Sequence, residues 1–329
     1  LFATAMMDQA TIWSGSQEAV YIGMKDGGMK DRGGYEAAPR STARLWGTGF
    51  GQQASLNGDT TVGSASLSSR ASGFAAGMDY AATRNFLLGF AGGYSYSNFS
   101  ISDRATSGTV EGAHAGVYSV ARAGGLYLAG AGEYAHYDDK TSRTIAYAPY
   151  AFGALDELAR GKFSSDEWLG RFEAGYKYEA GWNFTPFGGF QVASLNGGAF
   201  SERSTLAAGG GAGVAGLQVN AQTINSEKAF AGVQVDTKSL VGSWTFSPFA
   251  RVSWEHEFDT NRQETANLLS LPASAFTVYG AAAAQDVARV QTGFKADLSS
   301  GVGVFANFDG QFSGRGDAYA GTGGLVIRW

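Results

Sequence analysis

From Arg44 to the end of the chain, apolar and polar residues alternate with a period of two, the spacing that places successive side chains on opposite faces of a strand. Phe74, Ala76, Met78 and Tyr80 alternate against Ala75, Gly77 and Asp79. Trp168, Phe172, Ala174, Tyr176 and Tyr178 alternate against Arg171, Glu173, Lys177 and Glu179. Trp244, Phe246, Val252, Trp254 and Phe258 face away from Arg251, Ser253, Glu255, Glu257 and Asp259. Val290, Phe294 and Leu298 oppose Arg289, Gln291, Lys295 and Asp297, and Val304, Phe308 and Phe312 oppose Asn307, Asp309 and Gln311. The last run puts Leu325, Ile327 and Trp329 on one face and Gly324, Val326 and Arg328 on the other.

These runs predict twelve strands, near 44–56, 69–82, 86–102, 108–123, 126–142, 163–180, 183–203, 217–238, 243–260, 285–298, 302–314 and 317–329. Each supplies the roughly 9 to 11 residues that a tilted strand needs to cross a bilayer. The alternation drifts in 108–123 and 217–238, as a bulge would make it do. Thr83-Arg84-Asn85, Gly124-Gly125, Gly181, Val241 and Ser300-Gly301 predict tight turns. Between them lie longer links at 57–68, 143–162, 204–216 and 261–284, and shorter ones at 103–107 and 315–316. A soluble sandwich has no reason to sort short and long connections by rim, whereas an outer-membrane barrel does so. An even strand number also lets the first and last strands pair antiparallel, which removes the sheet edges. The expected fold is all-β, a 12-stranded antiparallel transmembrane β-barrel over residues 44–329.

Residues 1–43 follow another rule. Phe2, Met6, Met7, Ala10 and Trp13 recur at three- and four-residue spacing and predict a short helix, about 18 Å long, that also carries Asp8. Ser14-Gly15 reads as a stop, and Ser14 to Gln17 equally fits the cap of a second turn. Residues 25–41, rich in Gly and in charges such as Lys25, Asp26, Lys30 and Glu36, read as a linker. Chain parity puts Trp329 and the start of the first strand at the short-turn, periplasmic rim. Twelve strands leave room for roughly one helix, by interpolation between filled and open barrels. The helix is therefore expected in the lumen, its upstream end pointing outward.

Composition narrows the alternatives. The 329 residues include 49 Gly, 22 Phe, 15 Tyr, 7 Trp and only 5 Pro, which suits close-packed, interface-seeking strands. No stretch reaches the roughly 20 apolar residues of a membrane helix. A net charge of -5 with no basic patch argues against nucleic acid as a partner. The absence of Cys fits passage through an oxidising periplasm. Leu1-Phe-Ala-Thr has neither a basic nor an apolar leader region, so the sequence is expected to be a piece of a longer exported chain.

Candidate chemistry is sparse. Gly211-Ala-Gly213-Val-Ala-Gly216, with Asp236 further on, matches a dinucleotide fingerprint, but it sits in a loop of an antiparallel series without the strand and helix that the motif needs. No cofactor is expected. Alternation splits Glu255-His256-Glu257, turning both Glu inward and His256 outward, so no metal is expected. His114 and His136 read as isolated, no catalytic residues are assigned, and the chain is not expected to be an enzyme. Arg171, Glu173, Lys177, Arg251, Glu255, Glu257, Arg289, Lys295 and Arg328 are expected to line the lumen. There they would neutralise one another or offer a polar surface to a sliding chain, and the two are compatible. Trp168, Trp182, Trp244, Trp254 and Trp329 are expected to form interfacial girdles.

With these motifs in order, the chain resembles the C-terminal translocator domain of a monomeric autotransporter (type V secretion). Phe2-Ala-Thr-Ala-Met-Met-Asp8 resembles the family's luminal helix, and Leu45-Trp46-Gly47-Thr48-Gly49-Phe50-Gly51 its first strand. Gly77-Met78-Asp79-Tyr80 and Leu88 to Ser95 resemble its second hairpin, and Pro248 to Phe258 is the nearest motif match. Thr322, Gly324, Ile327 and Trp329 resemble the terminal signal read by the barrel-assembly machinery. The resemblance implies insertion in the outer membrane of a Gram-negative bacterium and carriage of an N-terminal passenger to the cell surface. It further implies a monomer that depends on periplasmic chaperones, the barrel-assembly machinery and outer-membrane lipid. No Asn-Asn pair of the kind some members use for self-cleavage occurs in residues 1–40. The alternative is a general diffusion porin, which would have an open lumen and no helix-and-linker front.

Overall fold

The computed structural model describes residues 1–12, 43–147, 156–207, 209–298 and 301–329. Trp13, the stop at Ser14-Gly15 and the linker at 25–41 lie outside the described residues. A helix, α1 (Phe2–Thr11), precedes twelve long strands. These are β1 (Ala43–Leu56), β2 (Leu67–Ala81), β3 (Phe86–Ile101), β4 (Thr106–Ala123), β5 (Leu126–Ile145), β6 (Glu157–Tyr176), β7 (Trp182–Gly197), β8 (Gln222–Asp236), β9 (Trp244–Glu257), β10 (Asp286–Asp297), β11 (Val302–Ser313) and β12 (Gly316–Arg328).

Each strand pairs antiparallel with its sequence neighbours, and β1 pairs with β12 from Arg44↔Arg328 to Ala54↔Ala318. Pairing of β6 with β7, from Ser165↔Gly197 to Gly175↔Phe187, completes the ring. The sheet is closed and has no long free edge.

Turn lengths sort by rim as expected. The turns at Gly124, Gly181 and Gly242 have φ of +60°, +81° and +64°, a left-handed conformation that favours glycine. On the outer face Phe74, Phe90, Trp168, Phe190, Val252 and Leu325 are exposed, because their surroundings are hydrocarbon rather than protein. Trp182, Trp244 and Trp329 mark the short-turn end of this band, and Tyr94, Tyr96, Trp168 and Trp254 the long-loop end.

The strand limits differ from the sequence reading where the wall rises above that band. β5 and β6 reach Ile145 and Glu157, into the stretch read as the link 143–162. There the outer face meets water, so it carries Arg160 and Lys162 and loses the alternation that marks a lipid-facing strand. The run read as 163–180 breaks after Tyr176, and 183–203 and 217–238 resolve into β7 and β8 plus short pieces. The region 261–284 folds as a hairpin, Gln263–Leu268 with Leu271–Tyr279. It extends through Leu217–Val219 to Phe200–Ser201 as a separate four-stranded sheet.

The loop between β7 and β8 is tied to the wall by carboxylates. Glu157 accepts hydrogen bonds from Ser204 Oγ (2.5 Å), the Ala215 amide (2.8 Å) and Tyr147 OH (2.9 Å). Glu202 accepts from Arg143 (2.6 Å) and the Leu217 amide (3.0 Å). The G-x-G-x-x-G stretch thus wraps a carboxylate of its own chain, and a Cβ at Gly213 would stand 2.2 Å from Glu157 Oε2.

Burial pushes the Glu157 carboxyl up, but hydrogen bonds from Ser204, the Val214 and Ala215 amides and Tyr147 outweigh it and hold it down at about 2. A depressed carboxyl contributes its full stabilisation above the unfolded value and loses it as pH falls through the folded one. The loop is therefore expected to resist proteolysis at pH 5, and to open as pH drops towards about 2. Glu157→Gln should open it at neutral pH, seen as faster cleavage within residues 198–221.

Candidate functional site: the occupied lumen

Ala3, Ala5, Met6, Met7, Gln9 and Ala10 are good helix formers, and α1 is buried on every side, as a helix enclosed by protein must be. The wall is shaped to receive it. Met6 fills the space over Gly116, where a Cβ would approach Met6 Cε to 2.5 Å, and Phe2 lies over Gly93, where a Cβ would approach its ring to 2.8 Å. Phe2, Met6, Met7 and Ala10 join Trp46, Phe50, Tyr118 and Val120 in one apolar cluster. Ile12 packs on Phe249 and Phe305 across the lumen.

Polar contacts fix the lower half of the helix. Arg44 Nη2 donates to the Gln9 carbonyl (3.1 Å) and Arg122 Nη2 to the Ala10 carbonyl (3.3 Å). Cations thereby cap the carbonyl end of the helix, where the helix dipole favours positive charge. Arg44 is held in turn by Asp79 (2.7 Å), each 1% exposed. Tyr118 OH donates to Asp79 and Trp46 Nε1 to Tyr118, both at 2.7 Å. Asn307 Nδ2 donates to Asp8 (2.8 Å).

The helix runs along the barrel with a defined sense. Thr11 and Ile12 border a cavity of about 510 Å³ that opens among the short turns at Thr83 to Phe86, Gly124-Gly125 and Lys177 to Glu179. Leu1 borders a smaller cavity of about 190 Å³ with Gln52, Arg171, Glu255 and Arg289, deeper in the barrel. The upstream end of α1 therefore points towards the long-loop rim.

Most residues assigned to the wall face inward as paired charges. Glu173 accepts from Arg251 (2.5 Å) and Tyr127 OH (2.7 Å), with Arg171 at 3.8 Å. Arg289 bridges Asp309 (2.9 Å) and Glu255 (3.1 Å). Asp297 takes Arg328 (2.8 Å) and Lys295 (3.5 Å). Arg251 and Arg171 lie over the rings of Phe187 and Phe230, at 3.5 and 4.1 Å from their centroids. Glu257 accepts from Ser226 Oγ (2.5 Å) and the Glu227 amide (2.8 Å). Lys177 sits apart, half-buried at the mouth beside Glu179 (3.5 Å). At the terminus Thr322 and Gly324 face inward, while Ile327 and Trp329 face the membrane.

The histidines need a correction. His114, read as isolated, joins Ser95 Oγ and Glu133 at 2.8 Å each, and the Phe2 ring stacks on it with centroids 5.2 Å apart. His136 pairs with Asp166 (2.8 Å) and His256 with Asp286 (2.9 Å). Every partner lies on a neighbouring strand, where only the register between strands could have revealed it. Arg44, Trp46 and Tyr118 form the network beneath the helix without standing out as site residues in the sequence. The parity of β1, which turns Arg44, Trp46 and Thr48 to one face, was the available signal.

A closed twelve-stranded wall with an apolar outer band and a helix in its lumen is the architecture of an outer-membrane barrel with an occupied lumen. The Autotransporter beta-domain family matches residues 45–309, and the chain belongs to that family. It is an outer-membrane translocation unit of the Gram-negative type. An extracellular serine protease of Serratia marcescens is 21% identical over 217 residues, 66% of this chain but only 20% of the relative's length. The translocator domain of the autotransporter NalP from Neisseria meningitidis is similar over 100% of this chain and 99% of its own, at 17% identity and a TM-score of 0.68. The beta domain of the Bordetella autotransporter BrkA covers 88% of this chain and 100% of its own, at 15% identity and a TM-score of 0.60. The transport unit of AIDA-I from Escherichia coli covers 100% of this chain and 97% of its own, at 15% identity and 0.54.

Proposed function

We propose that this barrel conveys a passenger joined upstream of Leu1 from the periplasm to the cell surface, and that α1 then remains as the plug of the emptied lumen. The direction of the helix carries the reading, since its upstream end points to the long-loop rim while its downstream end meets the short turns. A chain entering at the short-turn rim and leaving at the other would be left in this arrangement. The paired wall charges support it too, because they keep the passage polar without a net field to trap either sign. The helix fills space that a diffusion porin would leave to solute.

A folded reporter epitope fused upstream of Leu1 tests the proposal. In intact cells it is expected to be cleaved by added protease while the barrel stays protected. A reporter that stays shielded in the periplasm behind an assembled barrel would contradict it.

Assembly is assigned to the barrel-assembly machinery and to periplasmic chaperones, with Thr322, Gly324, Ile327 and Trp329 as the recognised end. β12 closes the ring against β1, and its Ile327 and Trp329 stand exposed on the outer face beside that seam. Trp329→Ala is expected to reduce the heat-modifiable, folded barrel in outer-membrane fractions several-fold, with total synthesis unchanged. Unchanged assembly would remove the role given to this residue.

A further inference from the structure

The outer wall carries a cluster of cations above its long-loop aromatic ring. Lys140 on β5, Arg160 and Lys162 on β6, and Arg203 on the segment Arg203–Leu206 are all exposed. Register sets Lys140 directly opposite Lys162, and Arg160 directly opposite Arg203. Like charges so placed stand about 5 Å apart at Cβ and destabilise the pairing of their strands. The sheet carries two such pairs side by side.

Carboxylates on this face balance them only in part, since Glu111 and Asp138 both act on Lys140. Glu111 pairs with Lys140 at 2.9 Å. Asp138 accepts from Ser164 Oγ at 3.5 Å, and Asp156, beyond Arg160, accepts from the Tyr147 amide at 3.1 Å. Among the described residues, Arg160, Lys162 and Arg203 have no ion pair or side-chain hydrogen bond. The sequence between Tyr147 and Asp156 contains no charged residue.

Position names the ligand. Trp168, on the same face of β6, marks the edge of the apolar band. Lys162 lies about 20 Å of strand beyond it, which at a tilt of about 40° is about 15 Å above the ring. Hydrocarbon does not reach that height, but the sugars of an outer-leaflet glycolipid do, and those nearest the lipid anchor bear phosphates and carboxylates. Arg offers a planar fork to such oxygens and Lys a point charge.

We propose that Lys140, Arg160, Lys162 and Arg203 form a binding site for the anionic inner-core sugars of lipopolysaccharide on the outside of the barrel. A bound anion between the paired strands relieves both like-charge contacts and anchors the β5–β6 wall, whose inner side holds the loop clasped by Glu157. The inference rests on the outer-membrane placement with the long loops outside, and it does not depend on passenger transport.

The test uses the full chain refolded in zwitterionic detergent and titrated with rough-type lipopolysaccharide that retains its inner core. Two double variants, Lys140→Gln/Lys162→Gln and Arg160→Gln/Arg203→Gln, each remove one repelling pair and are expected to fold at least as well as wild type, checked by heat-modifiable mobility. Each is expected to weaken binding about tenfold or more, whereas Arg84→Gln at the opposite rim leaves it unchanged. Wild-type binding should weaken as salt is raised, and the variants should show a shallower dependence. Folded double variants that bind as tightly as wild type would overturn the site. Binding of lipid A without inner-core sugars as tight as that of the whole glycolipid would overturn the assignment to those sugars. Reporter display in the same variants separates the two readings, because transport is expected to persist when glycolipid binding is lost.

Discussion

Asp79→Ala is expected to destabilise the folded barrel by about 3–5 kcal/mol, the cost of leaving one member of a buried ion pair without its partner. Arg44 is 1% exposed and directs two nitrogens at the Asp79 carboxylate, at 2.7 and 3.0 Å. The same carboxylate accepts from Tyr118 OH, and Tyr118 accepts from Trp46. Without it, Arg44 keeps only the Gln9 carbonyl of α1 among its observed partners, and the Tyr118 hydroxyl loses its acceptor. The change should lower the denaturant midpoint of the refolded barrel and loosen the lower end of the helix. Asp79→Asn retains an acceptor and should lose less. Equal stability of the alanine variant and wild type would show that the Arg44 network does not hold the fold.

Met6→Asp is expected to expel the helix while sparing the wall. Met6 is 0% exposed and occupies the space over Gly116. An unpaired carboxylate there would give up its hydration for an apolar seat among Trp46, Tyr118 and Val120, at a cost of several kcal/mol. The strands keep their ladder, so folded mobility on gels should persist while ion conductance rises severalfold. Met6→Leu, close in volume, should cost less than about 1.5 kcal/mol and stay closed. The same seat can be removed from the wall side. A side chain at Gly116 would meet Met6 at 2.5 Å and the Gly132 carbonyl at 2.8 Å, so Gly116→Leu should also open the pore.

The sequence showed much of the fold because lipid imposes one rule on the wall. Between the two aromatic rings every second residue must be apolar, and that made the strand number, the faces of Glu173, Arg251, Glu255 and Arg289, and the sorting of turns readable. Above the ring the rule lapses. β6 begins at Glu157 and runs through Arg160 and Lys162 with water on its outer side, so that length looked like a loop, and the hairpin at 263–279 lay within the link read at 261–284. Pairing partners were hidden for another reason. Glu173 meets Arg251 at a separation of 78 residues, and such meetings depend on register summed across several strands. His114 looked isolated because Ser95 and Glu133 approach it diagonally from strands on either side. Trp46 belongs to the residue type that gathers at membrane interfaces, yet it turns inward with its indole nitrogen bound to Tyr118.

In the proposed function α1 plugs a barrel whose wall would otherwise leave a conducting passage. Planar-bilayer conductance of the refolded chain, compared with a version beginning at Ser41, tests it most directly. Low conductance is expected for the full chain, and a large, steady pore after truncation. Equal, large conductance in both would make the helix irrelevant to closure and the barrel a porin. A closed channel in both would mean that the wall and loops fill the lumen unaided.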